Sequence, residues 1–327
     1  LHDALPIFPS ARSRVTRPPA AASAPAPRPK IIRLAYNYGP SELLHQAAER
    51  FARQLRADSG GALHVRLYPS GQLGNERELV EGLRLRSVDI TLTGLALIGW
   101  YAPEYGMFEA PFLWRDHTHG EHVWDGPVGE ALRRTMRQRT GAELMRPWFR
   151  GPRYLTTTSR KVLTPDDLKG LKIRVPELEV YIKAWQLFGA NVTPIPFTDL
   201  FMALKLGVVE GQENPLATIY ASHLHEVQKY VMETRHLTSF YLPALGPSLD
   251  RRLTPGERAL LIRALDDATR WHNAEVARAE DTCRQHLQDA GVTFIPLDTE
   301  PFRLLAREHL PPRSEERRVG KECRSRW

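Results

Sequence analysis

The sequence predicts an α/β protein of two lobes braced by one long helix. Three observations predict it: a strand-helix-strand unit that opens at residue 31, a second α/β set between residues 171 and 214, and a helical run with no Gly or Pro from residue 257 to 290. At 327 residues the chain is long enough for two lobes, each with its own core.

Residues 31–37 read as a short strand, and Ser41 as the cap of a helix in which Leu43, Leu44, Ala47, Ala48, Phe51 and Leu55 recur at three- and four-residue spacing. Gly60 and Gly61 stop that helix, and residues 63–68 alternate apolar and polar side chains as a strand does. Such a unit favours a parallel sheet with helices on its faces. The pattern continues with a helix over 76–86, a strand over 88–93, an irregular aromatic stretch over 100–114, a helix over 127–140 and a strand over 143–149. After Arg153, Thr164 caps a turn with Pro165 in its first position. A strand over 171–175, a helix over 181–188, a strand over 191–195, a helix over 198–206 and a polar segment over 208–214 complete the second set.

Thr254-Pro255-Gly256-Glu257 is a capping box, and Gly291 stops the run it opens. Leu260, Leu261, Ala264, Leu265, Ala268, Trp271 and Ala274 keep one apolar face, so a single helix about 45–50 Å long is expected. Its stripe thins after Ala274, which favours a brace across two lobes over a coiled-coil arm.

The formal charge of +7 sits at the ends. Residues 8–30 hold five basic and no acidic side chains, and residues 313–327 six basic against three acidic; with Asp3 taken off, these account for all of it and leave 31–312 neutral. Residues 1–7 and 313–327 resemble the translation of a sequencing adapter and are set aside as artefact, while residues 8–30 read as a flexible leader that a secretory signal would precede. A nucleic-acid binder therefore loses its basis. With Cys323 inside the artefact, Cys283 stands alone and no intramolecular disulfide is expected. No apolar run reaches the eighteen or so residues of a spanning helix, so a transport role would be that of a soluble partner.

The nucleophile elbow, the phosphate loop, the zinc-protease helix and the dinucleotide turn are all absent. His117, His119 and His122 have no standard metal spacing and read as a surface loop or helix start; no metal and no cofactor is expected. Arg174 stands out, because alternation sets it against Ile173 and Val175 in Gly170-Leu171-Lys172-Ile173-Arg174-Val175-Pro176. An arginine inside an apolar strand needs a partner, which is either an internal pair with Glu213 or a ligand. Arg153 is a second cation, and the turn over 209–215 presents an amide and a carboxylate. For Phe197 and Tyr154 a lobe-core reading stands beside a pocket one, and Trp185 reads as lobe core. A guanidinium suits a carboxylate ligand because it stays charged and gives two parallel N–H bonds.

These runs carry a resemblance. Leu67-Tyr68-Pro69-Ser70-Gly71-Gln72-Leu73-Gly74, then residues 170–176, then Glu210-Gly211-Gln212-Glu213-Asn214-Pro215 resemble the DctP-type substrate-binding proteins of TRAP transporters, in order and spacing over 31–312. The resemblance implies a periplasmic-binding-protein-like fold, with lobe I from 31–150 plus 240–279 and lobe II from 151–239 plus 280–312. It implies that Arg174 meets the ligand carboxylate, with Arg153 as second cation, Asn214 as amide partner and Phe197 lining the pocket. Asn37, Thr93 and Gly94 would be first-lobe contacts, and Glu213 would orient Arg174. The implied function is that of a periplasmic receptor without chemistry of its own. It would deliver a small organic-acid anion, such as a C4-dicarboxylate or sugar acid, to the transporter's membrane subunits. The competing reading is an α/β enzyme that clamps an organic acid with Arg174 and uses Glu213 as base.

Overall fold

The computed structural model describes residues 28–310. The readings of residues 1–7 and 313–327 as adapter, and of the leader up to residue 27, lie outside the described residues, as does Cys323. Ten strands are described: β1 Lys30–Ala35, β2 Leu63–Tyr68, β3 Ile90–Gly94, β4 Glu143–Leu144, β5 Trp148–Thr157, β6 Lys172–Val175, β7 Asn191–Pro194, β8 Gly211–Asn214, β9 Tyr230–Leu245 and β10 Thr293–Ile295. The helices are α1 Leu43–Asp58, α2 Glu76–Leu85, α3 Ala96–Tyr101, α4 His117–Asp125, α5 Pro127–Thr140, α6 Glu179–Leu187, α7 Leu200–Lys205, α8 Leu216–Ala221, α9 Ser248–Arg252, α10 Pro255–Asp289 and α11 Glu300–His309.

One sheet runs β2-β1-β3-β9-β5-β8-β6-β7, with β4 and β10 also paired to β9. At one end β2, β1 and β3 are parallel; at the other β8, β6 and β7 are parallel. Between them β9 and β5 run antiparallel to each other and to β3 and β8, so the two strands that join the halves belong to both. The ladder of β5 on β9 slips twice, between Phe149 and Gly151 and between Arg153 and Leu155. Gly151 takes a φ of 105°, which a side chain would resist, and that lets the strand continue through Gly151-Pro152.

The long helix follows its sequence signals. Thr254 accepts from the Glu257 amide while the Glu257 carboxylate accepts from the Thr254 amide, and the helix runs 35 residues to Asp289. Leu261, Ala264, Leu265 and Ala268 enter the core beneath β1–β3, whereas Leu287 enters a core with Tyr154 and Leu216 in the other half. Side chains fasten it along its length: Trp148 Nε1 donates to Thr269 Oγ1 at 2.6 Å, and Tyr154 Oη to Glu280 Oε1 at 2.6 Å.

Several local expectations are corrected. Ser41 does not cap α1; its hydroxyl donates to the Ala221 carbonyl at 2.9 Å, and α1 starts after Glu42 with no side-chain cap. The strand expected over 143–149 is two strands, the second running on to Thr157. The aromatic stretch holds the end of α3 and a 3-10 turn, Pro103–Glu109. β9, with twelve of its sixteen residues buried, lacks the alternation that would have announced it.

Candidate ligand-binding site

A cavity lies where the two halves of the sheet meet. Its lining includes Arg150, Arg153, Arg174, Asn214 and Phe197, together with Gly94 and the carboxyl side chains of Glu76 and Glu109. The loop after β1 and the turn before α7 approach each other across its mouth, where the Tyr38 and Phe197 rings stand 5.1 Å apart. A Cβ at Gly71 would sit 3.0 Å from the Thr198 methyl, so this approach needs glycine, whose φ is 69°. Trp100 Nε1 adds a bond to the Glu177 carbonyl at 3.1 Å.

Arg153, on β5, is paired within the protein. Its Nε and Nη2 grip the two oxygens of Glu213, with Nη2 to Oε1 at 2.7 Å, and Nη2 also reaches the Glu213 carbonyl at 2.6 Å. Burial alone would raise the Glu213 carboxyl, but Arg153 and His236 overcome it and hold the group at about 2. An ionised Glu213 only accepts, so His236 Nε2–H donates to it at 3.0 Å, which leaves Nδ1 to accept from Thr234 Oγ1 at 2.9 Å.

Arg174, on β6, differs. It is 3% exposed, its Nε donates to the Ile195 carbonyl at 2.7 Å, and among the described residues no carboxylate lies within ion-pair distance. Burial pulls its guanidinium down to about 10, with Glu213 opposing from a distance. The expected pairing of Glu213 with Arg174 is therefore corrected. Glu213 belongs to Arg153, its neighbour across the β5–β8 ladder, where Tyr154 faces Asn214 and Leu155 faces Glu213.

The other expected residues divide. Gly94, Arg153, Arg174, Phe197 and Asn214 line the cavity; Asn37, Thr93 and Glu213 are not among its lining residues. Asn37 is buried and its Nδ2 donates to the Gly74 carbonyl at 3.0 Å, which steadies the 71–74 turn. Thr93 donates to the Gly94 carbonyl at 3.1 Å. Asn214 Oδ1 accepts from Arg150 and Arg153 at 3.1 Å each, and its Nδ2 donates to Gln212 at 2.6 Å, so one amide proton remains for a ligand. Trp185 is a core residue, as expected, and Tyr154 is one too.

Sequence reasoning missed Arg150, Glu76 and Glu109. Glu76 accepts from the Gly94 amide through Oε1, and burial raises its pKa. Glu109 accepts from Tyr181 Oη through Oε2, and burial pushes it up to about 7 against that bond and Arg153. A lone acid in the apolar run 107–113 was the signal for Glu109; Glu76 resembled any acid in a first helical turn. Of the histidines read as a surface loop or helix start, His117 packs on Phe149 and His119 is buried at the start of α4. Cys283 lies on α10 and burial pushes its thiol up to about 11.

Comparison with known proteins places this geometry. Residues 34–311 match the family described as DctP, bacterial extracellular solute-binding protein, family 7. A solute-binding protein of Roseobacter denitrificans is 30% identical over 288 residues, 88% of each chain. The 2,3-diketo-L-gulonate-binding periplasmic protein YiaO of Escherichia coli is 29% identical over 83% of each. Among solved structures, the sugar acid binding protein DctPAm of Advenella mimigardefordensis in complex with galactonate superposes with a TM-score of 0.86 at 27% identity, over 91% of this chain and 99% of that one. A TRAP periplasmic solute binding protein of Roseobacter denitrificans with bound L-galactonate gives 0.85 at 28% identity, over 90% and 98%.

Proposed function

The chain belongs to the DctP family of bacterial extracellular solute-binding proteins, and from that premise we propose that it captures a sugar acid in the cavity around Arg174. It is a two-lobed receptor of the TRAP type that binds small organic-acid anions, not an enzyme. No helix among the described residues is long and apolar enough to cross a membrane. We place it in the periplasm, delivering its ligand to the membrane subunits of a TRAP transporter.

The observation that carries the ligand class is that Arg174, without a carboxylate partner among the described residues, shares a single cavity with two carboxyls. Arg174 has a free guanidinium edge and no carboxylate partner among the described residues, which suits a ligand carboxylate. Glu76 and Glu109 each keep one oxygen outside their protein hydrogen bonds, which suits ligand hydroxyls. Phe197 covers the carbon chain, and Arg153 is held in place by Glu213. We assign lobe I to 31–150 plus 240–279 and lobe II to 151–239 plus 280–312. The placement of Leu261 and Leu287 in separate cores supports that division.

A thermal-shift panel on the full chain tests the reading. A sugar acid at a hundredfold its dissociation constant should add about 2.7 kcal/mol of stability, and the corresponding neutral sugar none. Equal stabilisation by the neutral sugar, or none by any acid, would overturn it.

A further inference from the structure

Arg150 and Arg153 stand three apart on β5, and in a regular strand such residues point to opposite faces. Here they share a cavity and both bond the same Asn214 oxygen. The bulge is the reason. The ladder steps from Phe149 opposite Phe240 directly to Gly151 opposite Ser239, which leaves Arg150 as the extra residue and turns it inward.

Its charge is not cancelled there. Arg150 is 7% exposed, has no carboxylate within ion-pair distance among the described residues, and feels the buried Glu42 only at longer range. Its Nη2 bonds are to neutral oxygens, Asn214 Oδ1 and Thr218 Oγ1, at 3.1 and 3.3 Å, and its Nε has no partner. The Tyr38 and Tyr241 rings lie 4.7 and 4.6 Å from the guanidinium carbon and 4.7 Å from each other. Three such distances form a near-equilateral triangle, so both rings back the guanidinium from one side.

We propose that Arg150 is a second carboxylate anchor, so that the ligand is a hydroxylated dicarboxylate held at one end by Arg174 and at the other by Arg150. This rests on the reading of the cavity as an organic-acid site. Glu76 and Glu109 would accept the hydroxyls between the two ends.

Calorimetric titration of the full chain with matched pairs, galactarate against galactonate and tartrate against threonate, tests it. The diacid of at least one pair should bind about thirtyfold or more tighter than its monoacid. Arg150→Gln should abolish that gap, the diacid losing about thirtyfold more affinity than the monoacid. Arg150→Lys, which keeps the charge, should restore part of the gap, and melting of each ligand-free variant reports whether it is folded. Equal affinity within both pairs, or an equal loss for diacid and monoacid in Arg150→Gln, would overturn the anchor while leaving the receptor reading intact. Binding of no acid by the wild type would overturn the receptor reading, and the anchor with it.

Discussion

Replacing Arg174 with Met should move stability and affinity in opposite directions. Burial lowers the guanidinium from the ordinary arginine value to about 10, and at 1.36 kcal/mol per unit that is roughly 3 kcal/mol against the charged form in the fold. The lowered value is still far above neutrality, so Arg174 is charged at pH 7 and the penalty is present there in full. It fades only as pH rises through about 10 toward the ordinary arginine value. Met removes it and forfeits the charge-assisted bond to the Ile195 carbonyl, about 1.5–3 kcal/mol. The ligand-free variant should therefore gain up to about 1.5 kcal/mol, or up to about 5 °C in melting temperature. Its affinity for the acid should drop by about 3–5 kcal/mol, roughly two to three and a half orders of magnitude. Thermal melts of the ligand-free protein and calorimetric titration read the two effects separately. An affinity within tenfold of wild type, or a ligand-free variant that melts lower, would refute the reasoning.

Glu213→Gln should destabilise the protein by about 3–5 kcal/mol at pH 7, because Arg153 would be left buried without its carboxylate. In the wild type the Glu213 pair contributes fully above the ordinary value of 4.5 and is lost as pH falls toward about 2; urea melts at pH 7 and pH 3 should show that loss in the wild type and a smaller one in the variant. Glu109, facing Tyr181, Arg153, Glu213 and Glu76, titrates near 7, so ligand affinity should fall as pH rises through 7, by up to about tenfold per unit. Glu109→Gln should flatten that profile, and a wild-type affinity constant between pH 6 and 8.5 would contradict the assignment.

Where the sequence could be read, the signals were local. The 35-residue helix declared itself through Thr254, Glu257 and Gly291, and the first strand-helix-strand unit through periodicity. The joining strands were obscure for a physical reason. β9 is buried on both faces, and β5 passes through Gly151-Pro152, a pair that ordinarily ends a strand. That same irregularity concealed Arg150: counting by twos along β5 puts it on the wrong face, and only the slipped ladder shows otherwise. Arg174 was legible as a charge in an apolar strand. Its lack of a carboxylate was not, since β8 lies between β5 and β6 and the choice of Glu213 between the two arginines depends on register and face.

The position of β9 also constrains how the chain is made. It lies between β3 and β5, both synthesised well before it, and it is the strand that joins them. Neither half can close its sheet until residue 245 exists, because each lacks its inner neighbour up to that point. Long-range pairing of this kind is slow. A chain emerging N-terminus first would therefore stay open until most of it had appeared, and would commit to its native form late and all together.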